Sequence, residues 1–111
     1  MTTRLHVVRC GTGAPIVFIH GMGTSSATWA RRMELLEDRF SVVAVDLLGH
    51  GQSPVVDDPA EYTRDRALDD LDDVLDDLDS PAVLVGHSLG GYLALAHAAT
   101  RPGVARGVIV L

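Results

Sequence analysis

Lysine is absent from this sequence and cysteine occurs only once, and each shortage excludes a kind of chemistry. Without lysine, the chain cannot carry a phosphate-binding loop that ends in Gly-Lys-Ser or Gly-Lys-Thr, nor a lysine that forms a Schiff base with a carbonyl substrate. The single Cys10 cannot form an intrachain disulfide, and zinc sites need several cysteine or histidine ligands at close spacing. We therefore expect no metal site.

Long apolar runs and basic clusters are also missing. No apolar run reaches the roughly 18 residues of a membrane-spanning helix, and residues 1–11 lack the length and apolar core of a signal peptide. We therefore expect a cytoplasmic protein that does not span a membrane. The net charge of −6, without a basic cluster, argues against nucleic acid as a partner. The 111 residues and the 47% hydrophobic content suit one small globular domain.

Apolar runs alternate with amphipathic stretches along the chain. The runs predict five strands, at 5–9, 16–20, 41–46, 82–86 and 107–111. The stretches between them predict three helices, at 26–39, 64–80 and 89–101. This alternation predicts an α/β fold with a mostly parallel sheet and helices on both faces. We expect the loops that follow the strands to gather at the carboxyl edge of the sheet, where such sheets bind ligands.

The predicted helix at 64–80 is rich in aspartate opposite a stripe of leucines. A calcium-binding loop would need a central glycine and a closing glutamate, and neither is present. We therefore interpret the aspartates as a solvated face. Because aspartate is a poor helix former, packing of the leucine stripe must hold this helix.

The stretch "GHSLG" (86–90) links a predicted buried strand to a predicted helix and has the pattern Gly-x-Ser-x-Gly. This context is typical of a nucleophile elbow, in which a backbone strained by roughly 1–3 kcal/mol projects the serine hydroxyl from the turn. Gly86 and Gly90 have no side chains, so strand and helix can approach closely around Ser88, and Gly91 extends the small surface. A serine that merely caps its helix needs no flanking glycines.

An oxyanion hole is predicted beside this serine. The Leu89 N–H lies at the start of a helix, where the dipole and the free N–H groups favour negative charge. The second donor is expected from the loop "HGMG", where His20 and Gly21 end a strand and the Met22 N–H can turn inward. Loss of one such donor typically costs about 3 kcal/mol in the transition state.

Three motifs together resemble the α/β-hydrolase superfamily. "HGMG", "DLLGHGQS" and "GHSLGG" follow successive predicted strands in the family's order, and the resemblance covers Leu5 to Leu111. It implies Ser88 as the nucleophile, Met22 and Leu89 as oxyanion donors, and a mechanism that needs no cofactor. It implies structural roles for the other motif residues: His20, Gly21, Asp46, Gly49, Gly51, Gly86, His87, Gly90 and Gly91.

The resemblance extends only to the first half of the family's fold. In the family, the catalytic acid and histidine follow later strands, whereas this chain ends within the strand that begins at Gly107. We interpret residues 1–111 as the N-terminal part of a longer serine hydrolase or acyltransferase that acts on a small ester, lactone, thioester or amide and is inactive as this fragment. Of the five histidines, only His50, in the loop after the second buried strand, is a candidate substitute for the missing base.

Two other functions stay open. The stretch "GMGTSS" (21–26) follows a strand and opens a helix, and Asp46 lies near where a ribose-binding acid would stand in a dinucleotide-binding domain. However, the third small residue of this motif is Ser26 instead of the usual glycine, and a dinucleotide-binding function would leave "GHSLGG" unexplained. Since the triad is incomplete, the chain is alternatively a non-catalytic, hydrolase-like binding module or an inert fragment.

Overall fold

The computed structural model describes residues 4–111, whose strands form one sheet. The strands are β1 (Val7–Cys10), β2 (Ala14–Ile19), β3 (Phe40–Val45), β4 (Val83–Gly86) and β5 (Gly107–Val110). Their order across the sheet is β1-β3-β2-β4-β5. Strand β1 runs antiparallel to β3, and all other neighbours are parallel. The prediction of a mostly parallel sheet is confirmed.

Three α-helices cover the two faces of the sheet: α1 (Ala30–Leu36), α2 (Arg64–Asp76) and α3 (Leu89–Thr100). Successive side chains of a strand point to opposite faces, and β2 shows this directly. Its Val17 and Ile19 belong to the apolar core under α2 and α3, whereas Phe18 packs with Trp29 and Met33 on the other face. The helices therefore lie on both faces, as predicted.

Two of the predicted helices are shorter than the sequence pattern suggested. Residues 26–29 form a 3-10 turn capped by Ser25, and α1 then ends at Leu36, before Glu37 and Asp38. Helix α2 ends at Asp76, and it has no basic residue in its last turn. Acidic side chains oppose the negative carboxyl end of the helix dipole, and both helices have an acid as the residue that follows their last turn, Glu37 and Asp77.

The acidic face of α2 is not wholly solvated, which corrects the sequence interpretation. Asp70 is only 1% exposed, and Asp72 bonds across to α3. The buried His97 places Nε2 2.7 Å from Asp72 Oδ1, and the Arg101 Nε lies 2.7 Å from Asp72 Oδ2. Asp72 and Arg101 stay partly exposed, at 31% and 27% of their side chains, so this partly buried cluster links α3 to α2.

Candidate active site

Ser88 occupies the turn between the end of β4 and the start of α3. Its backbone has φ 54° and ψ −117°, and it is the one non-glycine residue of the described part of the chain with a positive φ. The Ser88 side chain is exposed and makes no capping hydrogen bond with its helix. The capping alternative is therefore wrong. Backbone strain of about 1–3 kcal/mol persists only where the surrounding structure imposes it, and such strain clusters at functional sites.

Close packing of glycines imposes this turn. A Cβ atom on Gly90 would lie 2.0 Å from the Ile19 carbonyl oxygen, and one on Gly86 would lie 2.2 Å from the Gly90 carbonyl oxygen. A Cβ on Gly91 would lie 2.8 Å from Val110 Cγ1. Any side chain at Gly86 or Gly90 would therefore push the start of α3 away from the sheet and move the serine with it.

The loop of residues 20–24, which follows β2, lies against the serine turn. A Cβ on Gly21 would stand 3.5 Å from Ser88 Cβ and 3.4 Å from the His87 carbonyl oxygen. Within residues 4–111, neither the Met22 N–H nor the Leu89 N–H donates a hydrogen bond to another group. Both N–H groups thus lie in the two segments that meet at the serine turn, and neither is used by the fold.

His20 fastens the 20–24 loop to the chain beyond β3. Its imidazole is fully buried, its Nε2 accepts the Leu47 N–H at 3.0 Å, and its Nδ1 lies 2.7 Å from the Gly21 carbonyl oxygen. A carbonyl only accepts, so the ring proton is assigned to Nδ1. Burial lowers the pKa of His20 below its ordinary value of 6.5, although the hydrogen bond to Gly21 opposes the shift. The neutral ring is thus the form that the fold stabilises.

Acid is expected to destabilise the protein through His20. The folded pKa of His20 lies below the unfolded value, so its stabilising contribution is present above pH 6.5 and is lost as the pH falls towards the folded pKa. The free energy of unfolding should decrease by up to about 1.4 kcal/mol per pH unit from this group. Urea denaturation between about pH 7.5 and pH 5.5 measures the slope.

His20→Gln provides the comparison, because a Gln amide can accept from Leu47 and donate to Gly21 without titrating. We expect this variant to show a shallower pH dependence of stability. The exposed His87 makes no side-chain hydrogen bond within residues 4–111, so His87→Gln should keep the wild-type dependence. An unchanged slope in His20→Gln would contradict the assigned role of the buried ring.

Asp46 is enclosed by the loop that it begins. Only 2% of the residue is exposed, and its carboxylate accepts the N–H groups of Ser26 at 2.7 Å and Gln52 at 3.1 Å. His6 Nδ1 lies 3.0 Å from the same carboxylate. Burial alone would raise the pKa of Asp46, but these hydrogen bonds outweigh it and lower the pKa. The carboxylate is therefore not available to bind a ribose hydroxyl. This argues against the dinucleotide-binding alternative, which needs Asp46 for that contact.

The loop can wrap the carboxylate because glycines stand at its bends. Gly49 and Gly51 both have positive φ, at 78° and 51°. A Cβ on Gly51 would lie 2.4 Å from Asp46 Cγ. These two glycines therefore allow the loop to fold closely around the carboxylate.

None of the imidazoles in the described chain hydrogen-bonds the Ser88 hydroxyl. His50, the candidate substitute base, already uses both ring nitrogens: Nε2 accepts the Gly23 N–H at 3.0 Å, and Nδ1 lies 3.0 Å from the Leu48 carbonyl oxygen. Neither nitrogen is free to take the serine proton. His50 is therefore not placed to substitute for the missing base, and its bond to Gly23 has no signal in the sequence.

An open cavity of about 240 Å³ lies beside the serine turn. Its wall includes Met22 and Leu89, whose N–H groups are the free donors, together with Leu48, Leu93 and Tyr92. Most of the surface that lines it is apolar, although Glu61, Arg64, Arg66 and Asp70 also contribute to its wall. Tyr92 was not singled out from the sequence, although its position one helical turn after Ser88 places it on the same side of α3.

Residues 4–111 contain no group of three or more His, Cys, Asp or Glu side chains placed to hold a metal ion. No helix in that part of the chain is long and apolar enough to cross a membrane.

Comparison with known proteins agrees with this topology. A family model described as the alpha/beta hydrolase family matches residues 16–111. Lipase LipV from Mycobacterium tuberculosis is 38% identical, with 100% of the chain and 42% of the lipase covered. Haloalkane dehalogenase from Agrobacterium fabrum is 39% identical, with 95% and 34% covered. The crystal structure of E-2-(acetamidomethylene)succinate hydrolase matches with a TM-score of 0.87 and 36% identity, over 94% of the chain and 38% of that structure.

A strand–turn–helix elbow at the carboxyl edge of a mostly parallel sheet defines the class as a hydrolase of α/β architecture. The family match and the structural likeness are more specific: the chain belongs to the α/β-hydrolase family. This confirms the resemblance inferred from the three motifs. The chain spans less than half the length of these relatives.

Proposed function

We propose that this chain supplies the nucleophile and the oxyanion hole of a serine hydrolase or acyltransferase that acts on a small ester, lactone, thioester or amide. The observation that carries the proposal is Ser88 itself, an exposed hydroxyl on a strained, glycine-enclosed turn. A serine that served only the fold would favour an ordinary backbone conformation and a capping bond, and Ser88 has neither.

The reaction follows from the groups around Ser88. Its Oγ attacks the carbonyl carbon of the substrate, and the oxygen that becomes negative binds the N–H groups of Met22 and Leu89. The serine proton passes to a general base and then to the leaving group, which departs as an alcohol, thiol or amine. Water or a second acceptor then takes the acyl group from Ser88. The neighbouring apolar cavity favours substrates whose acyl or leaving group is apolar.

The base in this scheme must come from outside residues 1–111. All five histidines lie in the described part of the chain, and none bonds the serine hydroxyl. The relatives are also more than twice as long as the stretch they share with the chain. We therefore propose that residues 1–111 form the N-terminal part of a longer hydrolase, whose catalytic histidine and acid follow Leu111.

We expect the natural protein to be longer than residues 1–111 and to be the active form. The intact mass of the natural protein should exceed twice the 11.8 kDa of this chain. That longer protein should hydrolyse p-nitrophenyl esters of short or medium acyl chains, whereas residues 1–111 alone should be slower by about 10⁶-fold, the usual effect of removing the histidine from a triad. Mass spectrometry and release of p-nitrophenol provide the two measurements.

Two results would contradict this proposal. One is equal turnover by the longer protein and by residues 1–111. The other is a natural protein of 11.8 kDa that turns over none of these esters. The second result would favour the alternative of a non-catalytic binding module or an inert fragment, which rests on the lack of an imidazole at Ser88.

A further inference from the structure

The backbone on both sides of Met22 is held by a histidine. On one side, His20 Nδ1 bonds the Gly21 carbonyl oxygen, which also accepts the Thr24 hydroxyl at 2.8 Å. The Gly21–Met22 peptide is trans, so its N–H points away from that carbonyl. The bonds to the Gly21 carbonyl therefore also set the direction of the Met22 N–H, which is opposite to that of the carbonyl. The backbone angles of Met22 itself depend on what holds the following peptide, Met22–Gly23.

The next peptide, Met22–Gly23, is held by His50. Its Gly23 N–H donates to His50 Nε2 at 3.0 Å. This is the one hydrogen bond that the described structure gives to the Gly23 N–H. Met22 is exposed over 74% of its surface, so side-chain packing does not fix it. The backbone N–H of Thr24 also donates to the Gly21 carbonyl oxygen, at 3.3 Å, and closes a turn across Met22 and Gly23. Within this turn, the two imidazoles bond directly to the peptides on either side of Met22.

The tautomer of His50 follows from its two partners. Nδ1 lies 3.0 Å from the Leu48 carbonyl oxygen, which can only accept, so Nδ1 carries the proton. Nε2 must then be the unprotonated nitrogen that accepts from Gly23. Only the neutral ring can make both bonds, because both nitrogens of an imidazolium are donors.

A second imidazole lies close to this ring, and charged residues line the same cavity. The His20 ring centroid lies 5.0 Å away, at an interplanar angle of 50°. The cavity that His50 lines also bears Glu61, Arg64, Arg66 and Asp70. Arg66 pairs with both Glu61 and Asp70, so the acids on this wall are already compensated by a cation.

We propose that His50 is a positioning residue, whose neutral imidazole accepts the Gly23 N–H and thereby holds the Met22 N–H in place as an oxyanion donor. The inference rests on the proposed acyl transfer at Ser88, since an oxyanion donor matters only if an oxyanion forms. It adds a role for the side chain of His50, which positions the Met22 N–H without touching the substrate carbonyl itself. Protonation or replacement of His50 releases the Met22–Gly23 peptide and weakens transition-state binding while substrate binding is retained.

The hydrogen bond itself can be measured without any activity. In the ¹⁵N-labelled longer protein, a through-bond coupling between the Gly23 nitrogen and His50 Nε2 should be detectable at about pH 7.5 and absent once the ring is protonated. The ¹⁵N shifts of His50 should also report a proton on Nδ1 at the higher pH. Absence of the coupling at both pH values, or a proton on Nε2, would overturn the inference whatever the activity of the enzyme.

Two substitutions separate positioning from bulk structure. His50→Phe keeps a ring without an acceptor, whereas the amide oxygen of His50→Gln can still accept the Gly23 N–H. We expect His50→Phe to lower kcat by about 10-fold to 100-fold, somewhat less than complete loss of an oxyanion donor, with KM changed less than about twofold. His50→Gln should restore most of kcat.

The outcomes can be told apart. Equal kcat losses in both variants, with equal losses of thermal stability, would mean a structural role and would overturn the inference. Wild-type kcat in His50→Phe would overturn it too. If Ser88→Ala leaves ester hydrolysis intact, the proposed function fails, and the coupling between Gly23 and His50 still reports whether the bond exists.

Discussion

Replacement of Ser88 by alanine in the longer protein is expected to reduce kcat for ester hydrolysis by about 10⁶-fold, because the hydroxyl that forms the acyl–enzyme bond is removed. Residual turnover above the uncatalysed rate should survive, since the N–H groups of Met22 and Leu89 can still bind a developing oxyanion when water attacks directly. KM should change little, because the serine oxygen contributes mainly to the transition state. Steady-state kinetics with a p-nitrophenyl ester provides the measurement.

The control for this loss is Ser80→Ala. Ser80 is exposed and precedes β4 at the opposite end of that strand from the elbow, so its removal should leave kcat unchanged. A kcat in Ser88→Ala within about tenfold of wild type would contradict the assignment of Ser88, since loss of a true nucleophile costs far more.

Gly90→Ala is expected to cause the largest loss of stability among single-methyl additions in the elbow. Its new Cβ would lie 2.0 Å from the Ile19 carbonyl oxygen and 2.7 Å from that of His20, and both are backbone atoms that cannot rotate away. Alanine favours a helix over glycine by about 1 kcal/mol, but a clash of this kind costs about 3 kcal/mol or more. The clash therefore outweighs the gain in helix propensity, and the free energy of unfolding decreases. Urea denaturation should show a lower midpoint with an unchanged slope.

Gly107→Ala is the matched control, because a Cβ there would meet nothing within 4 Å and its φ is not in the left-handed region. We expect its free energy of unfolding to stay within about 0.5 kcal/mol of wild type, as for most surface substitutions. If Gly90→Ala were as stable as Gly107→Ala, the close contact between α3 and the end of β2 would be disproved.

The sequence predicted the order of elements well because the buried strands are nearly continuous apolar runs. "IVFIH" and "SVVAVD" could be assigned as strands without knowledge of their neighbours. The direction of β1 could not be predicted, since Val7–Cys10 pairs only with β3 and antiparallel pairing is a property of the assembled sheet. The predicted ends of α1 and α2 were too late, because the apolar pattern continues beyond the last helical turn. Glu37 and Asp77 follow those last turns, where the helix dipole disfavours acidic side chains.

The part of the candidate site that is contiguous in sequence could be predicted from the local pattern. The elbow and its glycines are contiguous in sequence, so Ser88, Gly86 and Gly90 could be named together. The partners of Asp46 were not predictable, because they come from Ser26 and His6, which the fold alone brings close.

Histidine roles were the least predictable feature. His50 and Gly23 are 27 positions apart, and so are His20 and Leu47. Which nitrogen bonds which group therefore depends on the packing of two loops. The pair between His97 and Asp72 spans two helices in the same way, and the only sequence signal for it was a polar ring within an otherwise apolar helix.

Covalent trapping decides whether Ser88 is the nucleophile. The longer protein is treated with an excess of a fluorophosphonate ester, and the mass of the modified protein is measured before it is digested for peptide mapping. We expect one phosphonate per chain, attached to the peptide that contains Ser88, and no adduct in Ser88→Ala. An adduct on another residue, or full enzymatic activity in a protein that takes up no phosphonate, would contradict it.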